Sequence, residues 1–229
     1  MRALGVDAAG KRGWVGIVVD EAGFASAHVA TALAALIADA EQAGAVDTIG
    51  IDIPIGLVDG PKRTADVAAR TYVGPRRSSV FPAPHPDVVH LTEYHEVNEL
   101  LRSRGQAAVS RQAFGLYARI REAAELAADP RLLEVFPEAS FRAMGEAIVA
   151  SSKKTWNGAA DRVARLAAAS PPIVLPPDLG DAGDVAADDV FDAAAVAWSA
   201  LRCATGQAFA LGAPDERDLV TGRRIAVWV

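Results

Sequence analysis

Five acidic residues stand where a folding chain ordinarily places apolar side chains. Asp7 ends a run of small and aliphatic residues, Asp52 lies between Ile51 and Ile53, and Glu138 follows an apolar stretch directly. Asp189 and Asp192 are three apart, hence on one face of a helix otherwise made of Val190, Phe191, residues 193–197 and Trp198. Burying a carboxylate is costly unless it is paired or bound to metal, and several together raise one another's pKa. Few lysines or arginines stand beside these acids in the sequence to neutralise them. A divalent cation removes both costs at once, and Mg²⁺ or Mn²⁺ suits oxygen ligands. Asp7, Asp52, Asp189 and Asp192 are therefore candidate metal ligands.

Each acid also has an ordinary use. Asp7 can cap the turn at Ala8-Ala9-Gly10, and Asp52 can bond loop amides at a strand end before Pro54. Asp188 and Asp189 read as N-terminal caps of a helix. Asp192, one turn further in, is harder to explain that way. Glu134 alternates with apolar neighbours and reads as a solvated strand position.

The elements that must position these residues follow from periodicity and punctuation. Residues 3–7, 14–19 and 24–29 read as three strands, the first two joined by a polar turn between Gly10 and Gly13. A helix over 31–43 places Leu33, Leu36, Ile37 and Ala40 on one face and stops at Gly44. Residues 48–53 form a nearly continuous apolar strand, which suits a central parallel strand buried on both faces. Residues 58–110 are less regular, with a basic stretch over 62–77, prolines at 82, 84 and 86, and a helix over 95–104. The clearest helix spans 111–128 and stops before Pro130. A strand over 132–136, helices over 140–149, 159–168 and 188–205, and an edge strand over 224–229 complete the pattern. Residues 170–187, rich in Pro, Asp and Gly, read as a flexible loop. The expected fold is α/β: one domain over 1–229 with a mixed sheet, a three-stranded antiparallel meander plus parallel strands, flanked by helices, with a helical and loop insertion at 58–130.

Composition sets the outer bounds. Of 229 residues, 51% are hydrophobic and 23% charged, which is enough apolar surface for a core. A net charge of −6 excludes a general polyanion binder, so any nucleic-acid site must be a local basic patch. One cysteine, Cys203, excludes an internal disulfide, and its apolar helical setting reads as core packing. Without a cleavable signal pattern or an apolar run long enough to span a bilayer, the expectation is no membrane partner and a cytoplasmic location.

The motifs taken together resemble the RNase H-like predicted nucleases of the domain of unknown function family 429. Gly5-Val6-Asp7 with Gly13-Trp14-Val15, and Ile51-Asp52-Ile53-Pro54-Ile55-Gly56-Leu57, carry the resemblance. So do Arg63, Asp66 and Arg70 leading to Ser79-Val80-Phe81, then Glu134-Val135-Phe136-Pro137-Glu138 with Phe141. Lys154 with Gly158 and Arg162, and Asp188-Asp189 with Asp192-Ala193, follow in family order. One position departs: Ala9 stands where many nucleases of the superfamily carry glycine. The resemblance implies an RNase H-like fold. It also implies acids on the first strand, on the strand after the first helix, and on the last helix, which Asp7, Asp52 and the Asp189/Asp192 pair match.

The activity expected from this is metal-dependent phosphodiester hydrolysis, with two Mg²⁺ or Mn²⁺ ions about 3.5–4 Å apart, on a nucleic acid or nucleotide. Asp7 and Asp52 would ligate metal, Asp189 and Asp192 complete the set, Glu138 position water and Lys154 stabilise charge. Arg70, Arg76 and Arg77 would hold phosphates, unless they form an ordinary solvated face. His85, His90 and His95 lack metal-site spacing and read as surface residues; Trp14 reads as core, whereas Trp156 is open to base stacking. Two alternatives remain: a non-catalytic binding or regulatory module, and a nucleotide phosphotransferase, the latter without the length or the glycine-rich loop it would need. The strand over 224–229 offers an edge through which a homodimer would pair.

Overall fold

Sheet and helices meet through unusually small residues, and that contact fixes where the acids lie. The structure, a computed structural model, describes residues 1–60, 62–145, 147 and 149–229. Strands β1 (Arg2–Ala8), β2 (Trp14–Asp20) and β3 (Gly23–Ala30) form an antiparallel meander. Helix α1 (Leu33–Glu41) then crosses to β4 (Thr48–Ile51), which pairs parallel with β1. Next come α2 (Thr64–Val73), α3 (Pro86–Val89), α4 (Tyr94–Ser103), α5 (Arg111–Gly115) and α6 (Tyr117–Glu125). Strand β5 (Leu132–Glu134) adds parallel to β4, giving a five-stranded mixed sheet of order β3-β2-β1-β4-β5. Helices α7 (Pro137–Met144), α8 (Trp156–Ala168) and α9 (Ala187–Ala204) follow, and β6 (Ala210–Leu211) pairs antiparallel with β7 (Val227–Trp228). Among the described residues no helix is long and apolar enough to cross a membrane.

Strand alternation divides the core. Leu4, Val6, Ile49 and Ile51 face a cluster shared with Leu33, Leu36, Val97, Tyr117 and Ile120 from α1, α4 and α6. Ala3, Ile17 and Val19 face the other side, with Ala193, Ala197 and Leu201 of α9. Gly5 and Gly50, register partners on adjacent strands, also face α9. A Cβ on Gly5 would lie 2.0 Å from the Ala197 amide nitrogen and 2.2 Å from the Ala193 carbonyl oxygen. One on Gly50 would lie 2.8 Å from Val196 Cγ1. The helix backbone thus rests directly on the sheet. Its residues pass the strands in matched steps, because four helical residues advance about 6 Å and two strand residues about 6.6 Å. Thr48 Oγ1 donates to the Ala200 carbonyl at 2.8 Å, Gly50 meets Val196, and the next step pairs position 52 with position 192.

Several expectations are corrected. The basic stretch over 62–77 is helical in α2, followed by a 3-10 turn over Gly74–Ser79; its buried face is Ala65, Asp66, Ala69 and Val73, too small and polar to read as periodic. The helix expected over 111–128 breaks between α5 and α6 at Gly115-Leu116, glycine being a weak helix former, and ends at Glu125. The helix expected over 140–149 begins earlier, at Pro137, whose fixed φ suits a first turn, and runs to Met144; residues 146 and 148 lie outside the described residues. Segment 170–187 is tied down: Ile173 and Ala182 are buried, and Trp198 Nε1 donates to the Ser170 carbonyl at 3.1 Å. Chain end 224–229 is no open edge. Trp228 pairs with Ala210 on one side and bridges Val135 on the other, and Val229 exchanges two hydrogen bonds with Phe209, so this strand is paired within the chain on both sides. Trp14 is fully buried under the Arg119 guanidinium, and Trp156 is 85% exposed.

Seating of α9 on glycine has a measurable consequence. Gly5→Ala must push backbone from backbone and should cost about 3 kcal/mol or more in denaturant unfolding, the upper range for overpacking. Gly10→Ala, with nothing within 4 Å but a φ of +54°, should cost about 1 kcal/mol. Wild-type stability for Gly5→Ala would show that α9 does not rest on β1.

Candidate functional site

Alternation that turns Gly5 toward α9 also turns Asp7, and Asp52 continues from Gly50 in the same way. The Asp52 amide donates to the Val6 carbonyl at 3.0 Å, extending the parallel ladder one residue and setting the two carboxylates side by side at the C-terminal ends of β1 and β4. Asp192 reaches the same place from α9. These three, with Glu138 from the first turn of α7, line a cleft of about 330 Å³. Leu116, Tyr117 and Ile120 of the α5–α6 region and a strap over 78–82 form its other walls.

Electrostatically the cleft is strained. Burial, then the charges of Asp52 and Asp192, push Asp7 well above the usual carboxylate range. Burial and then Asp192 do the same to Asp52. Asp192 is raised by burial to about 6 although Lys153 opposes the shift. The Lys153 ammonium donates to Asp192 Oδ2 and lies 3.6 Å from Asp188 Oδ2. Burial disfavours that ammonium, but Asp192, Asp7 and Asp52 together raise its pKa. Asp192 Oδ1 is buried with no hydrogen-bond partner.

Two arginines hold the cleft's glutamates. Arg162, fully buried, grips Glu138 with Nη2 at 2.8 and 2.9 Å from its two oxygens, and Arg76 reaches Glu138 at 3.4 Å. Arg63, 2% exposed, clasps Glu134 at 2.7 and 2.8 Å and also donates to Asp66 Oδ1. Glu134 accepts from the Ile55 amide at 2.7 Å, and Asp66 Oδ2 accepts from the Ala83 amide at 3.0 Å. One guanidinium thereby ties the loop after β4, strand β5, helix α2 and the strap into one wall. The expectation that Glu134 is solvated is corrected: it is buried, and its partner lies 71 residues away in sequence.

Of the residues singled out from sequence, the cleft gathers Asp7, Asp52, Asp192 and Glu138. Asp189 is half-buried outside its lining, raised by burial and by Asp188. Lys154 is 70% exposed and pairs with Asp188 at 2.6 Å, also outside the lining. Asp188 and Asp189 lie inside the first turn of α9 rather than at its cap, which is Ala186 and carries no side-chain cap bond. Arg70 donates to the Val80 carbonyl at 2.7 Å; with Lys62 and the exposed Arg77 it lines a groove that shares Asp66 and Pro82 with the cleft. Sequence reasoning missed Lys153, Arg63, Asp66 and Arg162 as parts of the site. His90 and His95 are exposed, whereas His85 is largely enclosed and accepts from the Asp87 amide at 3.2 Å. Cys203 is half-buried, its thiol pushed up by burial to about 12.

The donor set suits a hard divalent cation: all oxygen, clustered, with Asp192 Oδ1 left over. Among the described residues, no three Asp, Glu, His or Cys side chains converge as a ready-made set of ligands. Lys153 serves as their counter-charge instead.

Raised carboxyls destabilise the folded state once the unfolded chain ionises. Folded Asp7, Asp52 and Asp192 take up protons at higher pH than their unfolded counterparts, so stability rises as pH falls through their folded values. Without metal, Tm should therefore climb from about pH 7 to about pH 5, by roughly 2–4 °C for each kcal/mol recovered. Asp7→Asn/Asp52→Asn should flatten that climb. Parallel Tm–pH curves for the two proteins would count against the clustered charges.

Neither the curated proteins nor the solved structures compared with this chain yield a match. The family model described as "Protein of unknown function (DUF429)" matches residues 5–217, a span holding all the acids, lysines and arginines of the site, and the chain belongs to that family.

Proposed function

We propose that the cleft hydrolyses phosphodiester bonds with Mg²⁺ or Mn²⁺, and that the fold is of the RNase H-like kind. The observation that carries the reading is that Asp7, Asp52 and Asp192, from two adjacent parallel strand ends and one helix, line one cleft, with Asp192 Oδ1 buried and unpartnered. The meander followed by a helix and a parallel strand beside β1 supports the fold assignment, as do acids at the three positions the family resemblance implies.

Asp7, Asp52 and Asp192 would hold the cation, which would supply an activated water at neutral pH and charge for the leaving oxygen. Glu138, oriented by Arg162, would accept a hydrogen bond from a water held in the cleft and fix its direction. Arg76, close to Glu138, and the neighbouring groove of Lys62, Arg70 and Arg77 offer donors to phosphate oxygens. With a net charge of −6, that local groove favours a nucleotide or a short nucleic-acid strand over a long duplex. A non-catalytic binding module is the second reading, favoured by the absence of a converged ligand set among the described residues.

Thermal unfolding in EDTA, Mg²⁺ and Mn²⁺ separates binding from its absence. At a metal concentration about 100 times Kd the wild type should gain about 2.7 kcal/mol, or roughly 5–10 °C. Asp7→Asn/Asp52→Asn should gain nothing and match or exceed the metal-free wild type. Cleavage of single- and double-stranded oligonucleotides should then require metal and be lost in the variant. Metal stabilisation without cleavage of any oligonucleotide or nucleotide would leave the binding module; no stabilisation of either protein removes the metal reading.

A further inference from the structure

We infer that Lys153 is the resident counter-ion of the cleft, neutralising its aspartates when no divalent cation is bound and releasing Asp192 to that cation when it arrives. The inference rests on the reading of the cleft as a cation site and assigns a residue that competes for it.

The cleft's carboxylates are held in two chemically different ways. Glu134 and Glu138 each face a guanidinium on both oxygens, from Arg63 at 2% exposure and Arg162 at none. Arg63 grips Glu134 with two nitrogens and Arg162 bridges both Glu138 oxygens with one, and both guanidiniums are enclosed, so these pairs are held in place. Asp192 meets an ammonium instead. Lys153 touches one of its oxygens, leaves Oδ1 without a partner, and keeps 29% of its side chain exposed. An ammonium on a four-carbon stem is a rotatable point charge.

Mounting differs in the same sense. Asp7 stands near the end of β1, Asp52 follows β4 and Asp192 stands on a helix whose backbone touches the sheet, so the spacing of their backbones is fixed. Lys153 sits in the connection between α7 and α8, before the α8 N-cap at Thr155. It also has somewhere to go: Asp188 Oδ2 lies 3.6 Å from its Nζ, toward the surface where Lys154 already pairs with that carboxylate. A cation arriving at Asp192 would repel Lys153 toward Asp188 and solvent. Lys153 occupies the Asp192 carboxylate that the cation would take, and the three aspartates, which do not converge as a ligand set among the described residues, would draw in on the ion once the lysine has left.

Lys153→Met keeps the stem and removes the charge. In EDTA this variant should melt below wild type, because its aspartates lose their counter-ion. By calorimetric titration it should bind Mn²⁺ about 10–100-fold more tightly than wild type, the usual span for residues that tune a metal site from beside it. Its Tm should rise more on adding Mn²⁺. Lys154→Met, which removes an equal charge outside the cleft, should leave Mn²⁺ affinity within about threefold of wild type, far below that span. Lys153→Arg, with a fork less easily displaced, should bind Mn²⁺ more weakly; it carries the test if the Met variant does not fold in EDTA. Wild-type affinity in the Lys153 variants, in a protein that does bind Mn²⁺, overturns the competition and leaves the cation site standing. Absence of Mn²⁺ binding from wild type and variants alike overturns both.

Discussion

Helix α9 can lie on the sheet only because β1 and β4 present glycine where the helix crosses them. Gly5 and Gly50 are register partners, and at each the space of a missing Cβ is filled by α9. This contact brings a helix carboxylate within range of two strand carboxylates. Any side chain at either position would lift the helix and open the cleft from beneath. The apolar character of α9, with Val190, Ala193, Val196, Ala197 and Leu201 buried, supplies the burial that holds three repelling acids together. Packing free energy is thereby stored as electrostatic strain in the site.

The remaining charges sort by how permanently they must be neutralised. Arg63 builds a wall: it binds two buried carboxylates and also donates to the Gly56 carbonyl at 3.1 Å. Arg162 does the same for Glu138 from α8. Removing either arginine would leave an uncompensated buried carboxylate, the expensive case for a buried pair. Lys153 contacts its aspartate with one end of a flexible chain, so the centre of the cleft is the part whose charge balance can change while the walls stay intact.

How much of this was legible depended on whether the signal was local. The strands of the mixed sheet and the acids inside them were readable because alternation and apolar runs are local, and an aspartate inside such a run stands out: Asp7, Asp52 and Asp192 did. Glu134 was misread by the same rule. Alternation indicates which side chains share a face but not whether that face is wet, and the partner that makes Glu134 buriable is Arg63. Helix α2 was missed because its inward positions are Ala65, Asp66 and Ala69, small or charged residues justified by one guanidinium. Lys153 left no signal of its own: in an irregular connection adjacent residues have no periodicity to separate them, and only the three-dimensional path shows that Lys153 reaches Asp192 while Lys154 pairs with Asp188 nearer the surface.

Location of the cleft follows from topology as much as from residue type. From β1 the chain grows outward through β2 and β3 on one side, then crosses by α1 to β4 and later β5 on the other. The boundary between β1 and β4 is thus where the direction of growth reverses, and the segments leaving their C-terminal ends diverge. In open α/β sheets a crevice forms outside the strand ends at such a reversal. Here β1 leaves toward the 3-10 turn over Gly10–Arg12, and β4 leaves through Asp52 and Pro54 toward Arg63, so backbone clears the space above both ends. Acids at those ends are the groups that backbone divergence leaves open to an incoming ion and substrate. The same acids one strand residue earlier would take the places of Val6 and Ile51, fully enclosed on the opposite face of the sheet, with no cleft to enter.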